Sequence, residues 1–258
     1  MTTYDIGHEL GTAPAPQHLP GLLGAAMVET PGLREIGLAV EALYGHGAVM
    51  LIDGPPGVGK TFAIRWVLRS QDMPTHWVDM PDTPKGKEAN APIYCGVTGR
   101  RPNSRMTEYA LTEETVDVLE GLQTVLVIDE AQNLTDGALR QIRYLHDRPR
   151  TEALFILVGS KVLEKVRKVT ELDSRVSRRI HVKDLPKVRV RAVLPDLHPI
   201  LANTSDAALG VLAAYGGGNL RTWAQMLKVA EEANLKPDQG IDEKLARVII
   251  RAITGGSS

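Results

Sequence analysis

The apolar run Ala48-Val-Met-Leu-Ile52 leads through Asp53 into Gly54-Pro55-Pro56-Gly57-Val58-Gly59-Lys60-Thr61, and few folds accommodate that junction. Five consecutive apolar residues fit a central parallel strand covered on both faces. The glycine-rich segment then satisfies the G-x-x-x-x-G-K-[ST] pattern, and a helical pattern follows from Thr61 to Arg69. Each residue type has a physical reason to be there. Gly54, Gly57 and Gly59 let the backbone turn its N–H groups inward around phosphate oxygens, with Pro55, Pro56 and Val58 completing the loop. The following helix presents its positive end to the same phosphates. Lys60 is expected to reach the β- and γ-phosphates and Thr61 to offer a hydroxyl to Mg²⁺. A glycine turn that merely joins strand to helix would not require Lys-Thr at its end.

A second motif supports this reading. Val125-Leu-Val-Ile128 predicts another buried strand, and Asp129-Glu130 stand at its end. Asp129 is expected to hold the Mg²⁺ shell through water. Glu130 is placed to orient and polarise the attacking water.

Around these motifs strands alternate with helices. Thr30-Pro31 reads as a helix start, with Leu33, Ile36, Val40 and Leu43 as its buried stripe and Gly45 and Gly47 at its end. Thr75–Val78 suggests a strand, residues 113–121 a helix, and Glu152–Val158 a strand ending at Gly159-Ser160. Thr135 is expected to cap a helix whose Leu139, Ile142 and Leu145 face inward. Pro81, Pro84, Pro92 and Pro102 break any long element between 80 and 110. The alternation predicts a parallel α/β sheet. After about residue 187 only helices are expected, at 206–215, 219–234 and 242–253, the last carrying Leu245, Val248, Ile249 and Ala252. The resulting division is an extended arm over 1–29, an α/β nucleotide-binding domain over 30–187, a small α-helical domain over 188–254 and a flexible tail over 255–258.

Composition narrows the possible functions. A net charge of −1 does not mark the whole chain as a nucleic-acid binder, and 4% aromatic content is poor for base-stacking platforms. A single cysteine, Cys95, allows neither an internal disulfide nor a zinc cluster built on it. The first ten residues lack the apolar core of a signal peptide, and no stretch approaches the ~20 apolar residues of a membrane span. The expectation is a soluble, cytoplasmic protein with no membrane partner.

The two phosphate motifs, together with Asp129-Glu-Ala-Gln-Asn-Leu134, resemble the AAA+ superfamily. Within it the compact size, that run and Gly216-Gly-Gly-Asn-Leu-Arg221 are similar to the bacterial transposition ATPases MuB, TnsC and TniB. The resemblance covers residues 30–255. It implies a P-loop AAA+ parallel-sheet core with helices on both faces and a C-terminal helical lid. It also implies ATP and Mg²⁺ as cofactors, and ATP hydrolysis between subunits. Ser160 matches the sensor-1 position, where a polar side chain touches the γ-phosphate or the attacking water. The segment Glu171–Ile180 resembles the one that carries an arginine finger, with Arg175 the first candidate, Arg178 the second and Arg179 facing solvent. Arg221, at the start of a lid helix, matches the sensor-2 arginine that contacts nucleotide. A finger acting in trans makes the working unit a ring or a helical filament of copies.

The same resemblance implies a surface for double-stranded DNA and a transposase or adaptor as partner. Local charge is compatible, because residues 161–191 hold eleven Lys or Arg against four Asp or Glu, a net of seven positive. Lys85, Lys87, Arg100, Arg101 and Arg105 add a second basic stretch where such ATPases place DNA-facing loops. Contacts of this kind are sequence-independent and salt-sensitive. The leading expectation is therefore an ATP-dependent, oligomerising, DNA-binding regulator of transposition. Two alternatives are a secretion-type AAA+ ATPase that remodels proteins and a replication initiator or helicase loader.

Overall fold

The computed structural model describes residue 22 and residues 24–82, 90–236 and 238–255. The expected arm, the tail after Gly255, and Lys85 and Lys87 lie wholly or mostly outside the described residues. Two compact units emerge. One contains Gly32–Gly54 and Ala63–Val182, and the other contains Pro55–Phe62 and Lys183–Ser258 with the described part of Ala15–Pro31.

In chain order the first unit carries α1 (Pro31–Leu43), β1 (Val49–Asp53), α2 (Lys60–Ser70), β2 (Thr75–Asp79), α3 (Ala91–Thr98), α4 (Glu108–Leu119) and β3 (Val125–Asp129). It continues with α5 (Asp136–His146), β4 (Leu154–Gly159), α6 (Val162–Arg167), α7 (Thr170–Asp173) and β5 (Val176–His181). The first turn of α2 groups with the other unit, as does Pro31. Among the described residues five strands form one parallel sheet in the order β2-β3-β4-β1-β5. Every residue of β1, β3 and β4 is buried, as their unbroken apolar runs require, whereas β2 and β5 at the edges are partly exposed. Met50, Leu51, Leu126, Ile128, Phe155 and Leu157 show no exposure at all.

The parallel registers place the carboxyl ends of all five strands along one margin of the sheet. Asp79 pairs with Asp129, and Asp53 pairs with both Gly159 and His181. In an open α/β sheet this margin is where ligands bind.

The second unit is helical after Lys183: α8 (Lys187–Leu197), α9 (Pro199–Ala202), α10 (Asp206–Gly216), α11 (Leu220–Glu232) and α12 (Glu243–Thr254). Their core gathers Leu194, Leu197, Leu212, Trp223, Leu227 and Ile249. Side-chain oxygens cap α10, α11 and α12, with Ser205, Asn219 and Asp242 accepting from Ala208, Thr222 and Leu245 N–H groups.

Several expectations are corrected. The helix expected at 113–121 starts earlier, because Thr107 caps it by accepting from Ala110 N–H. A helix, α3, also forms among the prolines, since Pro92 falls in its first turn, where proline is tolerated. Strand β5 at Val176–His181, which overlaps the expected finger segment Glu171–Ile180, was not expected as a strand, because its exposed arginines hide the alternation of an edge strand. Leu43 is only half-buried. On α12 the buried face is Ala246 and Ile249, while Val248 is 51% exposed and Ala252 is exposed. That face sets a testable contrast. Ile249→Ala should destabilise the protein by about 2–5 kcal/mol. Val248→Ala should stay within about 0.5 kcal/mol, as read from urea unfolding midpoints.

Candidate nucleotide site

The loop after β1 has the backbone its glycines allow. Gly54, Gly57 and Gly59 have φ of 150°, 85° and 91°, conformations that side-chain-bearing residues rarely adopt. A Cβ on Gly54 would collide with the Val182 carbonyl, and one on Gly57 with the Asn219 side chain, so both positions also lack the space for one. Pro55 and Pro56 are exposed and Val58 is buried. Lys60 is only 8% exposed, and its Nζ donates to the Pro55 carbonyl at 2.9 Å, so the ammonium folds back into its own loop. Thr61 stands beside it in the first turn of α2.

Helix α11 begins on this loop. The N–H of Arg221 donates to the Gly57 carbonyl at 3.2 Å. Asn219 Nδ2 donates to the Pro56 carbonyl at 3.0 Å and to Asp184 Oδ1 at 3.2 Å, while its Oδ1 accepts from Thr222 N–H. The guanidinium of Arg221 is therefore carried on a turn bonded to the phosphate loop, and the residue is exposed. Asn219 was not among the expected site residues. Nothing in its spacing reveals that a helix cap would also reach a loop so far back in the chain.

On the sheet margin, Asp129 ends β3 with 5% exposure, and its Oδ1 accepts from the Glu130 N–H at 3.0 Å. Glu130 takes a left-handed conformation, φ 51° and ψ 39°, which swings its exposed carboxylate out of the strand line. The 3₁₀ turn Ala131–Asn133 follows, and from it Gln132 Nε2 donates to Glu130 Oε2. Ser160, at the end of β4, donates its backbone N–H to Gln132 Oε1 at 2.9 Å. Asn133 Nδ2 reaches the Met80 carbonyl at 3.3 Å and so ties the turn to the end of β2. Asp53, buried just before the phosphate loop, pairs with His181 Nδ1 at 2.9 Å. Neither Gln132 nor the Asp53–His181 pair was expected as a functional contact.

The structure treats the three finger candidates differently. Arg175 precedes β5 and binds Asp147 of its own chain through Nε at 3.1 Å and a terminal nitrogen at 3.3 Å. Arg143 and His146 join the same carboxylate at 2.8 and 3.1 Å. Burial alone would raise the Asp147 pKa, but hydrogen bonds from Arg175, His146 and Arg143 outweigh it and hold the pKa at about 2. Arg179 is tied to the Asp173 carbonyl at 2.8 Å and its carboxylate at 2.9 Å. Arg178 is exposed on β5 and makes no ion pair among the described residues.

Of the basic stretch, Arg100, Arg101 and Arg105 are exposed after α3, in a turn where Asn103 Oδ1 accepts from the Arg105 and Met106 N–H groups. Among the described residues no three His, Cys, Asp or Glu cluster to form a metal cage, and no helix is long and apolar enough to cross a membrane. The donors nevertheless suit a nucleotide with its cation. In the one unit a glycine-turned loop, a buried ammonium and a hydroxyl suit phosphate, and in the other a buried carboxylate is an oxygen ligand of the kind a hard ion takes while keeping most of its waters.

With its strand order and its phosphate loop, the molecule has the AAA+ P-loop fold. Residues 43–166 match the AAA domain family. In overall fold the chain is similar to the ORC2 protein of Aeropyrum pernix, solved as ADPNP–ADP complexes, at TM-score 0.66 and 16% identity over 93% of this chain and 71% of that one. It is also similar to A. pernix ORC1, solved in complex with DNA, at TM-score 0.65 and 16% identity over 92% of this chain and 68% of that one. The Thermotoga maritima RuvB Holliday junction branch migration motor shares the fold at TM-score 0.59 and 16% identity, over 86% and 68% of the two chains.

The Asp147 cluster has a pH signature. The folded pKa is depressed from 3.8 to about 2, so the stability this carboxylate contributes is present above about pH 4 and falls away as pH drops toward 2. Asp147→Asn should remove that part of the acid dependence, which urea midpoints at about pH 5 and about pH 2.5 would record.

Proposed function

We propose that this chain is a Mg²⁺-dependent ATPase that assembles with copies of itself on double-stranded DNA. The observation that carries the proposal is the hydrogen bond from Arg221 N–H to the Gly57 carbonyl, which couples the phosphate loop to the first turn of a lid helix. Gly54–Thr61 bind the triphosphate, with Lys60 moving from the Pro55 carbonyl to the β- and γ-phosphates. Thr61 and Asp129 hold the cation, which screens the phosphate charge when bound. Glu130 orients the attacking water and accepts its proton, and the Arg221 guanidinium reads the nucleotide's terminal phosphate.

For the finger in trans, Arg178 is the better-placed donor. Arg175 would first have to leave Asp147, whereas Arg178 makes no such ion pair among the described residues. Its guanidinium would stabilise charge developing on the phosphoryl group of a neighbouring copy.

Arg100, Arg101 and Arg105, together with Lys85 and Lys87, are assigned to the DNA backbone. The biological role proposed first is regulation of transposition, with a transposase or adaptor recruited to the coated DNA. It rests on the Asp129–Leu134 run and the Gly216–Arg221 turn. The second reading, a replication initiator or helicase loader, is favoured by the fold shared with ORC1 and ORC2 over more than nine-tenths of this chain.

Two measurements test the proposal. Glu130→Gln should lower ATP turnover by about 100-fold or more while nucleotide still binds. Duplex binding should be strong with a non-hydrolysable ATP analogue and weak with ADP, and it should fall steeply with salt. Replacing Arg100 and Arg101 with Glu should flatten that salt dependence by about 0.9 in slope for each phosphate no longer neutralised. Equal DNA binding in every nucleotide state, or none at low salt, would remove the DNA assignment.

A further inference from the structure

We infer that Gln132 is a positioning residue for hydrolysis: it clamps the Glu130 carboxylate to the end of β4 through the Ser160 backbone. The inference rests on the reading of Glu130 as the group that handles the attacking water.

Three observations converge on it. The side-chain amide of Gln132 has both ends engaged, Nε2 donating to Glu130 Oε2 and Oε1 accepting from Ser160 N–H at 2.9 Å. The orientation of the amide is not arbitrary, because flipping it would set its oxygen against a carboxylate and its NH₂ against an N–H. The third observation is Gly159. A Cβ at this position would collide with Gln132 Oε1 and would lie 3.1 Å from Ala131 N and 3.3 Å from Gln132 N. Its φ is not among the positive ones, so what a side chain would meet there is crowding by the Gln132 amide and not backbone strain. The space is filled by the Gln132 amide.

The chemical consequence follows from what an amide donor does to a carboxylate. Glu130 is exposed and stands on a left-handed residue, where an unrestrained side chain would sample several rotamers. The Gln132 NH₂ takes Oε2 and fixes the plane of the group, which leaves Oε1 to accept from water. A neutral donor achieves this without placing a further charge beside the carboxylate. Since the other end of the amide is held by a backbone N–H just after β4, the carboxylate is referenced to the sheet as well as to its own turn. Holding a general base within a few tenths of an ångström is the kind of contribution that appears in kcat. It also assigns the end of β4 a role made through the Ser160 main chain, in addition to any contact by its hydroxyl.

The test is steady-state ATP hydrolysis by the full chain with Mg²⁺ and duplex DNA, comparing wild type with Glu130→Gln, Gln132→Ala, Gln132→Glu and Gly159→Ala. Gln132→Glu keeps the size of the side chain and an acceptor for Ser160 N–H, but removes the donor and faces Glu130 with a like charge. Gly159→Ala leaves Gln132 in place chemically and displaces it sterically. The two Gln132 variants and Gly159→Ala should each lower kcat by about ten-fold or more with KM within about two-fold, and Gln132→Ala should add no further loss on a Glu130→Gln background. A Gln132→Glu enzyme with kcat within about two-fold of wild type, or a loss carried by KM in all three variants, overturns the inference while leaving the role of Glu130 intact. Full turnover by Glu130→Gln overturns that role, and this inference with it.

Discussion

The carbonyl of Gly57 accepts a hydrogen bond from the N–H of Arg221, and that contact exists only because residue 57 has no side chain. A Cβ there would occupy the space of the Asn219 side chain and press on Arg221 Cβ at 2.8 Å. Asn219 completes the arrangement by capping α11 with its oxygen and holding the Pro56 carbonyl with its nitrogen. On the proposed function, one short segment of loop meets two demands, that of a phosphate group and that of a helix N-terminus. Glycine is the residue that satisfies both. A change in the loop is thereby coupled to the start of α11, as the proposed response to nucleotide requires.

The sheet margin shows a comparable economy. Central strands buried on both faces bring their carboxyl ends into one line, and each end then carries something different: a carboxylate pair at the end of β3, a backbone N–H after β4, and a buried Asp53 on β1 paired with an exposed His181 on β5. The left-handed turn at Glu130 lets the polar groups leave the strand without unpairing it. Gln132 then spans the gap between neighbouring strand ends. The buried apolar strands form the support, and the few polar atoms beyond them are the ones assigned to the proposed chemistry.

Much of this was legible in the sequence, for identifiable reasons. The strands around Val49–Ile52 and Val125–Ile128, the loop Gly54–Thr61 and the carboxylates Asp129 and Glu130 announce themselves through patterns only a few residues long. Thr135 was legible as a cap for the same reason, and the structure has its Oγ accepting from Ala138 N–H. What stayed hidden depends on contacts between distant residues. The Arg175–Asp147 cluster joins positions 28 apart in the chain, and the same spacing separates Ser160 from Gln132. Strand β5 was masked by its own arginines, since an edge strand can expose charged side chains that a helix end also favours. On α12 the helical spacing of apolar residues was read correctly, and Ile249 and Leu245 do pack on the core, but Val248 and Ala252 are exposed, because which side faces the core is decided by the helices packed against it.

The central claim is that the phosphate loop and the start of α11 respond to nucleotide as one piece. The most direct measurement is amide hydrogen exchange over residues 219–223, without nucleotide, with ADP, and with a non-hydrolysable ATP analogue plus Mg²⁺. The account predicts that protection of residues 57–61 and of 219–223 rises together with the analogue. Protection gained in the loop with exchange at 219–223 unchanged would contradict it, and would mean that the bond between Gly57 and Arg221 carries no signal.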